Sequence, residues 1–304
     1  MFFNKIRGGE RRLKIKDAIR SLRPTQWTKN FFVFAALIFA QKIFDVPFFL
    51  RTLGGFAIFC LLSGSLYLLN DVLDLEEDRV HPKKSKRPIA SGRINRRQAI
   101  SLAAILGPAS LIFAAILDPG FFIAAAVYLI LQVAYSLRLK HVVILDIFLV
   151  ASGFVIRVIA GGLVIGVPLS SWLLICSTLL ALFIAMTKRR HELVLLEENA
   201  SSHRPILKEY SAYLLDQMIS VVTASTLIAY CLYTVSEDTV KKFGTSHLIY
   251  TTPFVLYGIF RYLYLVHQKG QGGSPEELII HDRPLLAAIV LWIAAAVFII
   301  YFVK

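Results

Sequence analysis

The sequence predicts an all-α integral membrane protein with nine transmembrane helices. The chain has 304 residues, of which 57% are hydrophobic, whereas soluble globular domains contain about 45–50% apolar residues. The excess is concentrated in blocks of roughly 17–23 residues with few charges, a length that crosses the core of a bilayer as an α-helix. This composition excludes a soluble enzyme, a secreted disulfide scaffold and a disordered protein. The long blocks also exclude a transmembrane barrel, whose strands are short and alternate in polarity.

Nine apolar blocks give the predicted spans in chain order. They are residues 30–50, 52–70, 99–117, 120–137, 142–164, 169–187, 212–235, 246–266 and 284–303. Residues 1–29 are expected to form a basic cytoplasmic segment, and residues 30–304 a single transmembrane catalytic domain. The three cysteines lie far apart inside these blocks, which is typical of small buried hydrophobic residues rather than of a metal site.

The placement of lysine and arginine predicts the orientation. With the N-terminus in the cytoplasm, 27 of the 33 Lys and Arg residues lie in cytoplasmic segments, 5 lie on the other side, and Arg157 lies within a span. Such a bias follows the positive-inside rule. Topology and attraction to anionic membrane lipids therefore explain the net charge of +13, and no nucleic-acid partner is expected. Most acidic residues lie in the same segments, so we expect the active site on the cytoplasmic face.

An acidic motif follows the second predicted span. Residues 70–78 read Asn-Asp-Val-Leu-Asp-Leu-Glu-Glu-Asp, and Asn70, Asp74 and Asp78 would share one face of a helix, with Asp71 beside them. Hard oxygen ligands suit Mg²⁺, which typically takes one or two carboxylates together with substrate phosphate oxygens. We therefore predict a Mg²⁺ site formed by Asn70, Asp74 and Asp78. The alternative is a solvated acidic helix end.

A basic cluster follows the acidic motif between two prolines, Pro82 and Pro88. Lys83, Lys86 and Arg87 belong to it. By itself the cluster could be a topology signal. Next to a carboxylate site it indicates diphosphate binding, because the metal would bridge two phosphate oxygens while lysine and arginine neutralise the remaining charge.

Other polar residues are predicted at the same cytoplasmic face, and one, Arg157, is predicted deeper in the membrane. Arg157 is in the fifth span, eleven residues after Asp146 and so on the same side of that helix. An intramembrane arginine is by default functional; the alternative is a structural pair with an acid on another helix. The further candidates for substrate binding are Lys29, Tyr135, Lys140, Lys188, Arg189 and Glu192.

Together these motifs resemble the UbiA superfamily of intramembrane prenyltransferases. The resemblance begins with the Asn-Asp-x-x-Asp-x-x-x-Asp motif after the second of nine helices. Residues 135–140, 153–157, 170–172 and 188–192 are similar to the decaprenyl-phosphate phosphoribosyltransferase branch. The resemblance implies catalytic roles for Asn70, Asp71, Asp74 and Asp78. It implies substrate-binding roles for Lys29, Lys83, Lys86, Arg87, Tyr135, Lys140, Arg157, Lys188, Arg189 and Glu192.

The branch implies a specific reaction. The phosphate of a polyprenyl phosphate would attack C1 of 5-phosphoribosyl-1-diphosphate, and diphosphate would leave with the help of Mg²⁺. The product would feed decaprenylphosphoryl arabinose and the arabinan of the cell envelope. The implied location is the plasma (inner) membrane of a bacterial cell, which the chain would cross several times. The resemblance is also compatible with a homo-oligomer.

One region departs from the wider superfamily. Prenyl transfer to aromatic acceptors usually needs a second DxxxD motif near the end of the sixth span, but residues 188–198 contain none and begin Lys-Arg-Arg. Cations there suit an acceptor that is itself an anion. Prenyl transfer to an aromatic or quinone-precursor acceptor stays open as the alternative. A transporter is disfavoured, because transporters need polar groups through the depth of the membrane.

Overall fold

The computed structural model describes residues 14–80, 84–197, 205–271 and 275–303, and these fold almost entirely into helices. The α-helices in chain order are α1 (Ile15–Ser21), α2 (Ala35–Phe39), α3 (Val46–Leu73), α4 (Leu75–Val80), α5 (Arg96–Leu117), α6 (Pro119–Leu137), α7 (Leu145–Ile165), α8 (Ser171–Glu197), α9 (Ala212–Val235), α10 (Glu237–Phe243), α11 (Thr252–Gln268), α12 (Pro275–His281) and α13 (Arg283–Phe302). 3₁₀ segments cover Pro24–Phe34, Lys84–Lys86, Leu139–His141, Pro205–Glu209 and His247–Thr251.

Seven helices in the described part of the chain are long and apolar enough to cross a membrane. They are α3, α5, α6, α7, α8, α9 and α13. The predicted all-α, multi-pass architecture is therefore confirmed. Nine crossings and a cytoplasmic N-terminus remain predictions.

The first predicted span, residues 30–50, is wrong as a single helix. A 3₁₀ segment starting at Pro24 runs into α2, the chain turns at Gln41 with φ 58°, and α3 starts at Val46. Pro24 and Pro47 each occupy the first turn of a helical segment, where proline is tolerated because its missing N–H is not needed. Gln41, Lys42 and Asp45 lie in the break, but the apolar residues on both sides of it form one block of span length, and hydrophobicity over that length gave one helix.

The eighth predicted span, residues 246–266, also has two parts. The 3₁₀ segment His247–Thr251 leads directly into α11, which has 17 residues. Proline again marks the junction, because Pro253 lies in the first turn of α11.

Helix α7 lies at the centre of the packing. Its N-terminal half joins a core with α8, α9 and α11, and its C-terminal half joins a core with α2, α3 and α6. Gly161 permits the close approach of the 3₁₀ segment Pro24–Phe34. A Cβ atom on Gly161 would lie 2.9 Å from the carbonyl carbon of Val33 and still closer to its oxygen. Two backbones therefore meet at a point where no side chain fits.

The polar ends of several helices meet at one end of the bundle. Lys140 follows α6 and binds Asp74, which follows α3. Near the end of α8, Arg189 binds Asp146 in the first turn of α7. This end, which we call the polar end, holds the acidic motif, the basic cluster and the start of α7.

Candidate active site

The acidic motif lies on a nearly continuous helical path. α3 ends at Leu73 and α4 starts at Leu75. Across this junction the Asp74 N–H donates to the Asn70 carbonyl at 2.9 Å, and the Asp78 N–H donates to the Asp74 carbonyl at 2.8 Å. Asn70, Asp74 and Asp78 thus occupy successive turns, as the spacing predicts.

Burial separates the carboxylates of the motif into two kinds. The side chains of Asp71 and Asp78 are only 2% exposed, whereas that of Asp74 is 32% exposed. A buried carboxylate needs a compensating cation or several hydrogen bonds. Asp74 faces solvent and pairs with Lys140, whose Nζ lies 3.3 Å away.

One guanidinium bridges the two buried carboxylates. Nη1 of Arg87 lies 3.1 Å from Oδ1 of Asp71 and 2.5 Å from Oδ2 of Asp78. Arg23 also pairs with Asp71, and Lys84 Nζ lies 3.8 Å from Asp78. The acidic motif and the basic cluster therefore form one charge network, which compensates the burial of both carboxylates.

The donor types of the motif fit Mg²⁺, which takes carboxylate and carbonyl oxygens. Within the ranges that the structure describes, however, no three His, Cys, Asp or Glu side chains are grouped to hold a metal ion. The Arg87 guanidinium supplies the positive charge between Asp71 and Asp78. The magnesium ligands Asn70, Asp74 and Asp78 thus stay a prediction, with Asp71 as a neighbouring carboxylate of the same chemistry.

A second cluster of charged side chains connects α7 and α8. Arg189 is 5% exposed, with Nη2 at 2.6 Å from the Asp146 carboxylate and Nη1 at 2.6 Å from the Glu192 carboxylate. Asp146 is fully buried. Its Oδ1 accepts a 2.7 Å hydrogen bond from the hydroxyl of Tyr210. Burial raises the pKa of Tyr210 to about 12, and its hydrogen bond to Asp146 contributes to the rise. The hydroxyl therefore stays protonated at physiological pH.

Arg157 lies inside the bundle and is 4% exposed. Nε donates to Oδ1 of Asn30 at 2.7 Å, Nη1 to the Gly153 carbonyl at 2.6 Å, and Nη2 to the Tyr128 hydroxyl at 2.8 Å. The guanidinium also lies over the Tyr128 ring, 4.6 Å from its centroid. Among the described residues, the acid on another helix that was considered as the alternative is absent, because the partners of the guanidinium are an amide, a backbone carbonyl and a phenol.

Comparison with known proteins identifies the family. Residues 30–275 match the model of the UbiA prenyltransferase family. The chain belongs to this family. The resemblance seen in the sequence is thereby confirmed, and the protein is an enzyme of the UbiA type.

Several UbiA relatives carry one name, decaprenyl-phosphate phosphoribosyltransferase. That of Mycolicibacterium smegmatis is 36% identical over 301 residues, covering 95% of this chain and 93% of its own length. That of Mycobacterium tuberculosis is 34% identical over 284 residues, covering 92% and 93%. That of Corynebacterium glutamicum is 33% identical over 289 residues, covering 93% and 86%.

Solved UbiA structures share the fold. A UbiA homologue from Archaeoglobus fulgidus, bound to GPP and Mg²⁺, has a TM-score of 0.69 at 19% identity, covering 93% of this chain and 99% of that one. An apo UbiA homologue from Aeropyrum pernix K1 has a TM-score of 0.60 at 14% identity, covering 94% and 98%. At these identities the likeness shows the fold alone.

The remaining predicted residues are Lys29, Lys83, Lys86, Tyr135 and Lys188. Lys29 donates to Gln26 Oε1 at 2.5 Å, and Lys86 is exposed, with its carbonyl accepting from Arg93 at 2.7 Å. Tyr135 and Lys188 are half-buried near the ends of α6 and α8. Lys83 lies outside the described residues. The roles proposed for all of these side chains stay predictions.

Four residues of the polar end were missing from the predicted site. Arg23 contacts Asp71 from the segment before the first span, and Lys84 of the basic cluster contacts Asp78. Asp146 at the start of α7 and Tyr210 just before α9 form a hydrogen bond to each other. A buried acid in the first turn of a span was the available signal for Asp146. Nothing in the local sequence marked Tyr210, because its contacts lie 64 and 66 residues away.

Proposed function

We propose that the protein transfers the 5-phosphoribosyl group from 5-phosphoribosyl-1-diphosphate to a polyprenyl phosphate and releases diphosphate. One observation carries the proposal. Relatives named decaprenyl-phosphate phosphoribosyltransferase are 34–36% identical over more than nine tenths of this chain. We further propose that the reaction takes place at the cytoplasmic face of a bacterial plasma membrane, in the synthesis of arabinan precursors.

The charges of the polar end support this substrate pair. Both substrates carry phosphate, and the cations Arg23, Lys84, Arg87 and Lys140 lie within 4 Å of the acidic motif. Asn70, Asp74 and Asp78 would hold Mg²⁺, which supplies Lewis-acid stabilisation to a leaving diphosphate. Lys83, Lys86 and Arg87 would bind the remaining diphosphate oxygens.

The acceptor needs little chemical activation. A lipid phosphate monoester is largely ionised at neutral pH, so the reaction requires no general base. We assign Lys29, Lys188 and Arg189 to the two phosphate groups that must approach each other. Holding two anions in a reactive orientation is positioning work, which can lower a barrier by about 7–11 kcal/mol.

The test uses purified protein in lipid nanodiscs with radiolabelled 5-phosphoribosyl-1-diphosphate and decaprenyl phosphate. We expect label in the lipid fraction only when both substrates and Mg²⁺ are present, with loss after EDTA and recovery after added Mg²⁺. Asp74→Asn should abolish the transfer. Glu77→Gln is the matched control, because Glu77 is an exposed acid of the same motif and should keep activity.

Two results would contradict the proposal. One is a folded protein that transfers no label under any of these conditions. The other is transfer of a prenyl group from its diphosphate to an aromatic acceptor, which would establish the alternative reaction of the family.

A further inference from the structure

The connection between α6 and α7 contains an unusual backbone conformation. Ile144, just before α7, has φ 68° and ψ −45°. A β-branched residue rarely adopts positive φ, and such a residue persists only where its surroundings hold it. The loop therefore needs a stabilising contact at Ile144.

The hydroxyl of Tyr210 provides this contact. It accepts a 2.6 Å hydrogen bond from the backbone N–H of Ile144 and donates a 2.7 Å hydrogen bond to Oδ1 of Asp146. Tyr210 is 5% exposed, and Ile206 and Leu207 beside it are also buried in the core of α7, α8 and α9. The ring is thus fixed by packing, and the hydroxyl is held between two partners on one turn.

The turn held by Tyr210 is linked to two predicted phosphate-binding cations, because it carries Lys140 and contacts Arg189 of α8. Lys140 lies four residues before Ile144 and reaches Asp74 at 3.3 Å. Asp146 lies two residues after Ile144 and holds Arg189 at 2.6 Å. One hydroxyl therefore supports the position of Lys140 through the backbone and that of Arg189 through a carboxylate.

We propose that Tyr210 is a positioning residue for the phosphoribosyl transfer, and that its hydroxyl sets Lys140 and Arg189 for the phosphate groups of the substrates. The inference rests on the proposed function. A purely structural tyrosine would act differently, because its loss would reduce the amount of folded enzyme and leave the KM of the remaining molecules unchanged.

The experiment compares Tyr210→Phe with the wild type in nanodiscs. Phenylalanine keeps the ring in the core and removes both hydrogen bonds. We expect the KM for 5-phosphoribosyl-1-diphosphate to rise about fivefold or more. This factor corresponds to weakening the binding of the substrate by roughly one hydrogen bond. Amide hydrogen exchange in residues 139–146 should become faster, and the Tm should fall by a few degrees because the Ile144 N–H and the buried Asp146 carboxylate lose a partner.

Tyr262→Phe is the matched control. Tyr262 has the same exposure of 5% and lies in the same core, and its hydroxyl accepts from Thr187 at 3.4 Å. This variant should leave both the KM and the exchange of residues 139–146 unchanged. A KM increase of the same size in Tyr262→Phe would overturn the inference, because it would show a general effect of core hydroxyls.

Ile144→Gly adds a test by rescue. Glycine adopts positive φ without strain, so the loop should need the hydroxyl less. Tyr210→Phe should therefore raise the KM by a smaller factor in the Ile144→Gly background than in the wild type. An equal factor in both backgrounds, with unchanged exchange in residues 139–146, would overturn the inference.

The outcomes separate this inference from the proposed function. A wild type that transfers no phosphoribosyl group contradicts the proposed function, whereas the exchange measurement still tests the contact of Tyr210 with Ile144. If Tyr210→Phe does not fold, Asp146→Asn replaces it. A KM increase equal to that of Arg189→Gln then supports the role of this turn, and an unchanged KM overturns it.

Discussion

Replacing Gly161 with alanine should separate α7 from the 3₁₀ segment Pro24–Phe34. The added Cβ would lie 2.9 Å from the carbonyl carbon and 3.2 Å from Cα of Val33. Carbon atoms prefer separations of about 3.5–4.0 Å, so the segment must shift by about 1 Å. The obstacle is backbone, which cannot rotate away as a flexible side chain can.

This shift has a calculable effect on stability. It would stretch the 2.7 Å hydrogen bond from Arg157 to Asn30 beyond the range of a good bond, with a loss of about 1.5–3 kcal/mol. Overpacking costs about 1–3 kcal/mol, while alanine in place of glycine in a helix returns about 1 kcal/mol. We expect Gly161→Ala to lower the free energy of unfolding by about 1.5–5 kcal/mol.

The assay is thermal and denaturant unfolding of purified protein in one detergent. Gly258→Ala is the control, because Gly258 also lies inside a helix but a Cβ there meets no atom within 4 Å. The control should match or slightly exceed the stability of the wild type. Equal stability of Gly161→Ala and Gly258→Ala would refute the close backbone contact between α7 and Val33.

Three further predictions concern charged residues. Asp74→Ala should abolish transfer with little change in Tm, because a partly exposed ion pair contributes about 0.2–1 kcal/mol; activity and unfolding are measured on the same sample. Arg157→Leu should lower the Tm, since Asn30 and Tyr128 lose their partner, and comparison with Arg157→Lys separates the hydrogen bonds from the charge. The hydrogen bond from Arg261 lowers the pKa of Asp282, so its stabilising effect is present above pH about 4 and is lost as pH falls through the lowered pKa. The Tm difference between wild type and Asp282→Asn should therefore shrink between pH 7 and pH 3, and an unchanged difference would contradict this assignment.

The sequence was sufficient for those features that depend on local pattern. Long apolar blocks located the seven helices of membrane-spanning length, and the four-residue spacing placed Asn70, Asp74 and Asp78 on successive turns. Hydrophobicity could not locate the break before α3, because apolar residues lie on both sides of it. The hydrophobicity pattern of the sequence therefore predicts where helices lie more reliably than where they are interrupted.

Long-range partners were beyond the sequence for a physical reason. Helical periodicity placed Asp146 and Arg157 on the same side of α7, but it does not bring them together, since eleven residues span about 16 Å. Each residue instead binds a neighbouring helix or segment: Asp146 binds Arg189, and Arg157 binds Asn30 and Tyr128. Such choices depend on how the helices pack, which a single sequence does not contain.

The neutral surroundings of Arg157 have an electrostatic consequence. Its three hydrogen-bond acceptors are an amide, a backbone carbonyl and a phenol, so no carboxylate in the described part of the chain cancels its positive charge at contact range. At an effective dielectric constant of about 20, such a charge attracts an anion about 10 Å away by roughly 1.5 kcal/mol. Salt screens buried charges much less than exposed ones. Arg157 therefore contributes a positive electrostatic potential to the interior around α3, α6 and α7, which attracts anionic head groups at a distance. This attraction should persist at high salt concentrations that weaken the attraction by exposed lysines.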